Sequence, residues 1–368
     1  MTRLIVAAGG GGDAVAAAML HAAQYGDEDQ AVILTYAWDR LLVDPLPGPR
    51  SAHDFTGLET VTRSVRSVPA SARPIAPAGS TLPRLAAELP QTFALLDPQH
   101  GVEGVTNQLE ELIAHLTPES IDLLDVGGDI LARGNEPTLK SPLADALTLA
   151  ACCRVDAPVR LLVAGPGLDG ELSADDLRPL LGPVVHTFTA EDVAPISSVL
   201  EWHPSEATGM LAATARGTRG TCEVRDAGLP VPLTDASPQL HEVDLDEALS
   251  HNALARAIMA TTTLDEVEAH SREICGFSEI DYERNKATWL KDQPPTPLDV
   301  DTVLRQVDEF QSEARARGAT HTTFRHLTEV LNINGSQRGD LRQLLLASHP
   351  NRYAAPLWLI PDPMSSPS

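Results

Sequence analysis

Cysteine is scarce in this chain. Cys152, Cys153, Cys222 and Cys275 are the only four in 368 residues, and no two form a C-x-x-C pair. Adjacent cysteines such as the first two rarely bridge each other, so neither a zinc site nor a disulfide framework is indicated, and a reduced, cytoplasmic compartment is expected. Long apolar runs are missing as well. The N-terminal run lasts about six residues before glycines interrupt it, too short for a signal-peptide core, and no stretch approaches the roughly 20 residues that cross a bilayer. Basic charge is in deficit, since 27 Lys and Arg stand against 51 Asp and Glu, for a net charge of -24. That field repels nucleic-acid phosphates and anionic lipid, so no nucleic acid and no membrane are expected as partners. A small-molecule ligand, even an anionic one, stays compatible, because a few local donors outweigh charges that salt screens beyond about 10 Å. The sequence also lacks a G-x-S-x-G elbow, a P-loop and an H-E-x-x-H helix, which excludes the common hydrolase, kinase and zinc-protease signatures.

What the chain does have is alternation. Short β-branched runs recur at Leu4–Ala8, Ala31–Tyr36, Phe93–Leu96, Ile121–Val126, Val159–Ala164 and Val184–Phe188. Helix-like stretches at Ala14–Tyr25, Leu82–Leu89, Val105–Leu116, Leu143–Cys153 and Asp175–Leu181 lie between most of them, and others follow near Glu191–Trp202 and Pro204–Arg216. This order predicts an α/β fold: a doubly wound, mostly parallel, Rossmann-like sheet with helices on both faces. The proline-rich stretch 44–79, around a strand-like Glu59–Val68, reads as an excursion at the sheet edge or a loop over the site. Strand-like pieces at Thr221–Arg225, Val231–Leu233 and Leu240–Asp244 read as a hairpin region closing the first domain. From Ala248 the pattern is almost wholly helical, broken by Gln293-Pro-Pro-Thr-Pro297. The expected organisation is an α/β small-molecule-binding domain over 1–247, a smaller, mainly helical C-terminal domain over 248–363, and a flexible tail over 364–368.

Three glycine and aspartate loops carry the candidate chemistry. Gly9, Gly10, Gly11 and Gly12, followed by Asp13 and Ala14, satisfy G-x-G-x-x-A between a strand and a helix, where glycines let a ligand approach the helix N-terminus. Asp13 complicates a dinucleotide reading, because its carboxylate repels pyrophosphate unless a metal or lysine intervenes; NAD(P) is therefore the lesser expectation, with Asp39 as its candidate ribose acid. A plain turn with Asp13 as helix cap is the bland alternative. Asp125-Val-Gly-Gly-Asp129 ends a later strand that, in doubly wound order, lies beside the first. Asp13, Asp125 and Asp129 then face one another and suit a divalent cation, Mg or Ca, or a sugar's hydroxyls, although Gly127 and Gly128 alone also make a turn. The next strand ends in Gly165-Pro-Gly-Leu-Asp-Gly-Glu171, placing Gly165, Gly167, Asp169 and Glu171 on the same rim. Glu201-Trp-His-Pro-Ser-Glu206 sets His203 and Glu206 together at a helix start as proton-moving candidates, or simply as a cap. Arg216 and Arg219 are candidates to clamp a phosphate or carboxylate, or merely complement a helix dipole.

Taken with Phe277-Ser-Glu-Ile-Asp-Tyr-Glu-Arg284, the loops Gly9–Asp13 and Asp125–Asp129 make the chain resemble a bacterial and archaeal family called domain of unknown function 1152, over roughly residues 1 to 290. That resemblance implies no activity and no catalytic residue, only that the Gly/Asp loops matter. The expected function is an enzyme that binds a small polar metabolite, a nucleoside, nucleotide or sugar phosphate, for hydrolysis or group transfer. In that reading Asp13 and Asp129 with His203 or Glu206 are catalytic. The alternatives are a nicotinamide-dependent oxidoreductase and a non-catalytic ligand sensor or assembly factor; a homo-oligomer is compatible with each.

Overall fold

The computed structural model describes residues 2–26, 29–225, 229–291 and 297–361. Most of the proline-rich break and the tail over 364–368 lie outside the described residues. In chain order the elements that position the site are β1 (Thr2–Gly10), α1 (Gly12–Gln24), β2 (Gln30–Tyr36), β3 (Thr92–Leu95), α2 (Gly101–Leu116), β4 (Ile121–Val126), α3 (Pro142–Cys152), β5 (Val159–Ala164) and β6 (Val184–Thr187). They are followed by α4 (Glu206–Ala215), β7 (Gly220–Val224), β8 (Leu229–Leu233), β9 (Gln239–Val243) and α5 (Glu279–Lys291).

The main sheet runs β6-β9-β5-β4-β1-β2-β3 and ends on the short strands Arg66–Ser67 and Glu59–Thr60. Its five central strands, β5 to β3, are parallel, and the flanking strands are antiparallel. On β1, Leu4, Val6 and Ala8 belong to one apolar cluster and Ile5 and Ala7 to another. The strand is thus buried on both faces, which is why it reads as a continuous apolar run rather than an alternating one. Leu4 pairs with Val32 of β2 on one side and Ile121 of β4 on the other. The chain therefore leaves β1 in one direction and returns on its opposite side, opening a crevice at the carboxyl ends of β1 and β4. Residues 12–21 of α1 are all buried, because the helix lies between the sheet and α4 and its alanines permit close approach.

Local departures from the sequence reading have physical causes. The helix expected over Glu191–Trp202 breaks into turns at 190–193, 194–196 and 197–200, where Pro195 interrupts the backbone ladder. Of the three strand-like pieces after Arg219, β7 and β8 pair with each other, whereas β9 enters the main sheet antiparallel to β5. The C-terminal region is mainly helical but also contributes strands: β7 pairs in parallel with His321–Thr322, which continues through Leu357–Leu359 to Tyr353–Ala354 in a second sheet. Ala248, Leu254, Val267 and Ile280 share an apolar cluster with Leu4 and Leu143, while Val307, Phe310, Leu327, Leu345 and Trp358 form a separate one. Among the described residues no helix is long and apolar enough to cross a membrane.

Helix α5 braces the crevice with two buried carboxylates. Trp38 Nε1 donates to both oxygens of Glu283, at 3.1 and 3.0 Å, and the Gly48 N–H donates to Oε2 at 2.7 Å. Arg40 donates to Glu283 at 3.3 Å and also to Glu279, which in turn accepts the Leu143 N–H at 3.0 Å near the start of α3. Glu283→Ala leaves an indole donor, a backbone donor and part of a guanidinium charge unmet, so it is expected to cost about 3 kcal/mol in urea unfolding, and Glu283→Gln less. A loss below about 1 kcal/mol for the alanine variant contradicts this bracing role.

Candidate functional site

The crevice is an open cleft of about 800 Å³ lined by Gly9–Asp13, Trp38–Arg40, Asp125, Asp129, Asp145, Asp169, Glu171 and the segment His203–Ala207, with Arg225 and Arg325 at its margin.

Each wall follows from local sequence. Gly11 has φ +63°, a left-handed turn that an L side chain resists, and a Cβ on Gly10 would sit 2.7 Å from the Trp38 carbonyl. The chain thereby turns tightly off β1 into α1, and Asp13 Oδ2 folds back to accept the Gly9 N–H at 2.9 Å. A Cβ on Gly9 would stand 3.0 Å from Asp13 Oδ2 and 3.5 Å from both Asp145 oxygens, so this glycine leaves space for two carboxylates. Asp125 lies near the end of β4, and Asp145 projects from the first turn of α3.

Asp13, Asp125 and Asp145 each present an oxygen such that the three lie within 4.8 Å of one another. All are buried, and among the described residues Asp125 Oδ2 and Asp145 Oδ1 have no hydrogen-bond partner. The three carboxylates brought together thus differ in one member from the trio expected from sequence to hold a cation. Asp129 lines the cleft and shares a side-chain hydrogen bond with Asp125, but Asp145 is the carboxylate that closes the set. Asp145 escaped notice because an acid in the first turn of a helix reads as a charge complementing the helix dipole.

Burial dominates the titration here. It pushes Asp13 and Asp169 up to about 7, with Glu171 repelling Asp169 further. Asp125, Asp129 and Asp145 are driven well above the usual carboxylate range by burial and by neighbouring acids. Asp169 accepts the Glu171 N–H on Oδ1 at 2.8 Å and keeps Oδ2 without a partner. Glu171 is fully engaged: it accepts the Lys140 and Ser141 N–H groups at 2.6 and 2.8 Å, the Ser141 hydroxyl, and Arg225 at 2.8 Å.

Other candidates separate into lining and support. His203 and Glu206 line the cleft. Burial and Arg338 push His203 down to about 3, which keeps the ring uncharged at neutral pH. Asp39 borders the cleft, but both its oxygens are taken by the Thr81 N–H and hydroxyl. Gly127, Gly128, Gly165 and Gly167 lie outside the lining; all four have positive φ, and Gly167 donates to the Gly127 carbonyl at 2.6 Å, tying two loops together behind it. Arg216 and Arg219 are not at the cleft: Arg216 donates to Ser197 at 2.7 Å and the Ala355 carbonyl at 3.1 Å, and Arg219 to Asp235 at 2.7 Å. Arg40, Arg225 and Arg325 are the guanidinium groups actually present, each brought there by long-range packing that no local motif announces.

Residues 4–287 match the family described as a protein of unknown function, DUF1152. No curated protein and no solved structure matches the chain.

The raised acids set a pH dependence for the metal-free protein. Asp13 ordinarily titrates near 3.8 and here near 7, so the folded state keeps a proton that the unfolded chain has released. Its stabilising contribution is complete below the unfolded value and is lost as pH rises through the folded one. The melting midpoint in a chelating buffer is expected to fall between about pH 4 and about pH 7, and Asp145→Asn should flatten the fall. A midpoint that rises over this interval refutes the assignment.

Proposed function

Because the chain belongs to that family of unknown function, whose description assigns no chemistry, we propose from the site itself that the protein is an enzyme acting on a small, hydroxyl-rich polar metabolite by hydrolysis or group transfer, with a divalent cation held by Asp13, Asp125 and Asp145. The substrate class is a nucleoside, nucleotide or sugar phosphate. The observation that carries this reading is the pair of buried oxygens, Asp125 Oδ2 and Asp145 Oδ1, left without partners beside Asp13. Buried carboxylates are seldom left so, and hard oxygen ligands at this spacing suit Mg or Ca.

A bound divalent ion would supply a Lewis acid and lower the pKa of a ligated water. The chain's own residues do the rest. Asp169, with a free oxygen and a pKa near neutrality, takes or returns the proton. The glycine loop gives backbone donors and leaves room for the ligand. A nicotinamide reading is less well supported, since Asp13 already occupies the Gly9 N–H and the Asp39 oxygens are spoken for.

Titration of Mg²⁺ or Mn²⁺ into the full chain, followed by calorimetry, is expected to show one saturable site that Asp125→Asn and Asp145→Asn each weaken at least about tenfold. The same variants should abolish metal-dependent turnover in a screen of nucleosides, nucleotides and sugar phosphates. Wild-type affinity in Asp145→Asn, or no metal binding at all, sinks the proposal.

A further inference from the structure

A second, smaller cavity adjoins the acidic cleft and shares His203, Pro204, Ser205, Glu206 and Arg325 with it. Its charge is of opposite character. In a chain carrying 27 basic residues against 51 acidic ones, the guanidinium groups of Arg325, Arg338 and Arg342 line it together with the carboxylates of Glu201 and Glu206, and Arg325 also lies 3.9 Å from Glu329. Glu201 is engaged by Arg342. Glu206 lies 3.9 Å from Arg325 and already accepts the Arg225 N–H at 3.2 Å and the Thr323 hydroxyl. Arg338 meets no carboxylate among the described residues; it donates to the carbonyls of Trp202 and His203, the latter at 3.4 Å. Burial and the neighbouring Arg325 and Arg342 push it down to about 10.

His203 gives an independent sign of what is missing. It is only 8% exposed, and the Ser205 N–H points at its Nδ1 from 3.3 Å. An accepting Nδ1 on an uncharged ring places the proton on Nε2, and Nε2 is buried with no partner. A buried donor without an acceptor is costly unless a ligand supplies one. The ten-residue helix α4 starts at this same point, where Ser205, Glu206 and Thr208 line the cavity; Ser205 Oγ caps the Thr208 N–H and leaves the Glu206 and Ala207 N–H groups of the first turn without a partner inside the helix.

We propose that this cavity is an anion subsite for a non-reacting phosphate of the substrate, gripped by Arg325, Arg338, the Nε2–H of His203 and the first turn of α4. The claim that the hydroxyl-bearing end of the same molecule reaches Asp13, Asp125 and Asp145 rests on the function proposed above; the phosphate site itself does not. Two guanidinium groups, an imidazole N–H and a helix start converge from several directions, which suits a tetrahedral phosphoryl group with three free oxygens better than a planar carboxylate. Arg325, Arg338 and Arg342 all lie beyond residue 287, where the family match ends. The C-terminal region thus selects phosphorylated members of the substrate class, while the glycine and aspartate loops perform the chemistry.

The test is calorimetric titration of inorganic phosphate into the full chain, first with a chelator and then with Mg²⁺. Phosphate should bind without Mg²⁺, at least about tenfold more tightly than acetate. R325Q and R338Q should each weaken it at least about tenfold, while D125N changes it by less than about twofold. Arg338 also holds two carbonyls, so R325Q, which breaks only long contacts to carboxylates, carries the test should R338Q fail to fold. The proposal is overturned if the wild type does not bind phosphate, if R325Q binds it normally, if acetate binds as well, or if binding requires Mg²⁺ and disappears in D125N. Absence of Mg²⁺ binding with intact phosphate binding counts against the cation site alone.

Discussion

Uncompensated negative charge at the end of two neighbouring strands is the constraint on which the rest of this structure turns. Asp13, Asp125, Asp129, Asp145 and Asp169 share one cleft, and among the described residues none of them makes an ion pair. Burying several carboxylates without partners opposes folding, so either protons or a cation must be drawn in. The protein meets this partly by raising the acids' proton affinity and partly by surrounding them with a well-braced frame. Around the unpaired acids sits a second set whose charges are met: Glu171 by Arg225, and Glu279 and Glu283 by Arg40. The paired set fixes the backbone; the unpaired set faces the cleft.

The frame is economical in its use of small residues. Gly9 and Gly10 admit the carboxylates and the Trp38 carbonyl, and the alanines of α1 let that helix lie close to both the sheet and α4. Any larger side chain at Gly9 would enter the space between Asp13 and Asp145. The geometry of the cleft is therefore set by what these positions lack as much as by the acids themselves.

Legibility from sequence followed the range of the interactions. The mostly parallel sheet, the place of β4 beside β1 and the meeting of the Gly9–Asp13 and Asp125–Asp129 loops were readable, because apolar periodicity and the doubly wound rule are local or topological signals. Asp145 was not, since nothing in the sequence of α3 tells which side of the helix meets β1. Arg325 and Arg338 were equally hidden, because their place depends on how residues more than a hundred positions apart dock. Arg216 and Arg219, which the sequence offered as candidate anion ligands or as mere complements to a helix dipole, follow the far end of the same helix whose other end borders the cleft. Spacing located the helix but not the end that matters. The strands of the C-terminal region escaped because each is two or three residues long and sits among helices.

The second sheet constrains how such a cleft opens. β7 leaves α4, borders the first strand of the C-terminal region, and its Glu223 is held in a bidentate pair by Arg317 at 2.7 and 2.9 Å. A hinge that swung the C-terminal region aside would have to tear that seam. Covalent continuity, shared strands and this ion pair thus stitch the C-terminal region to the edge of the α/β unit.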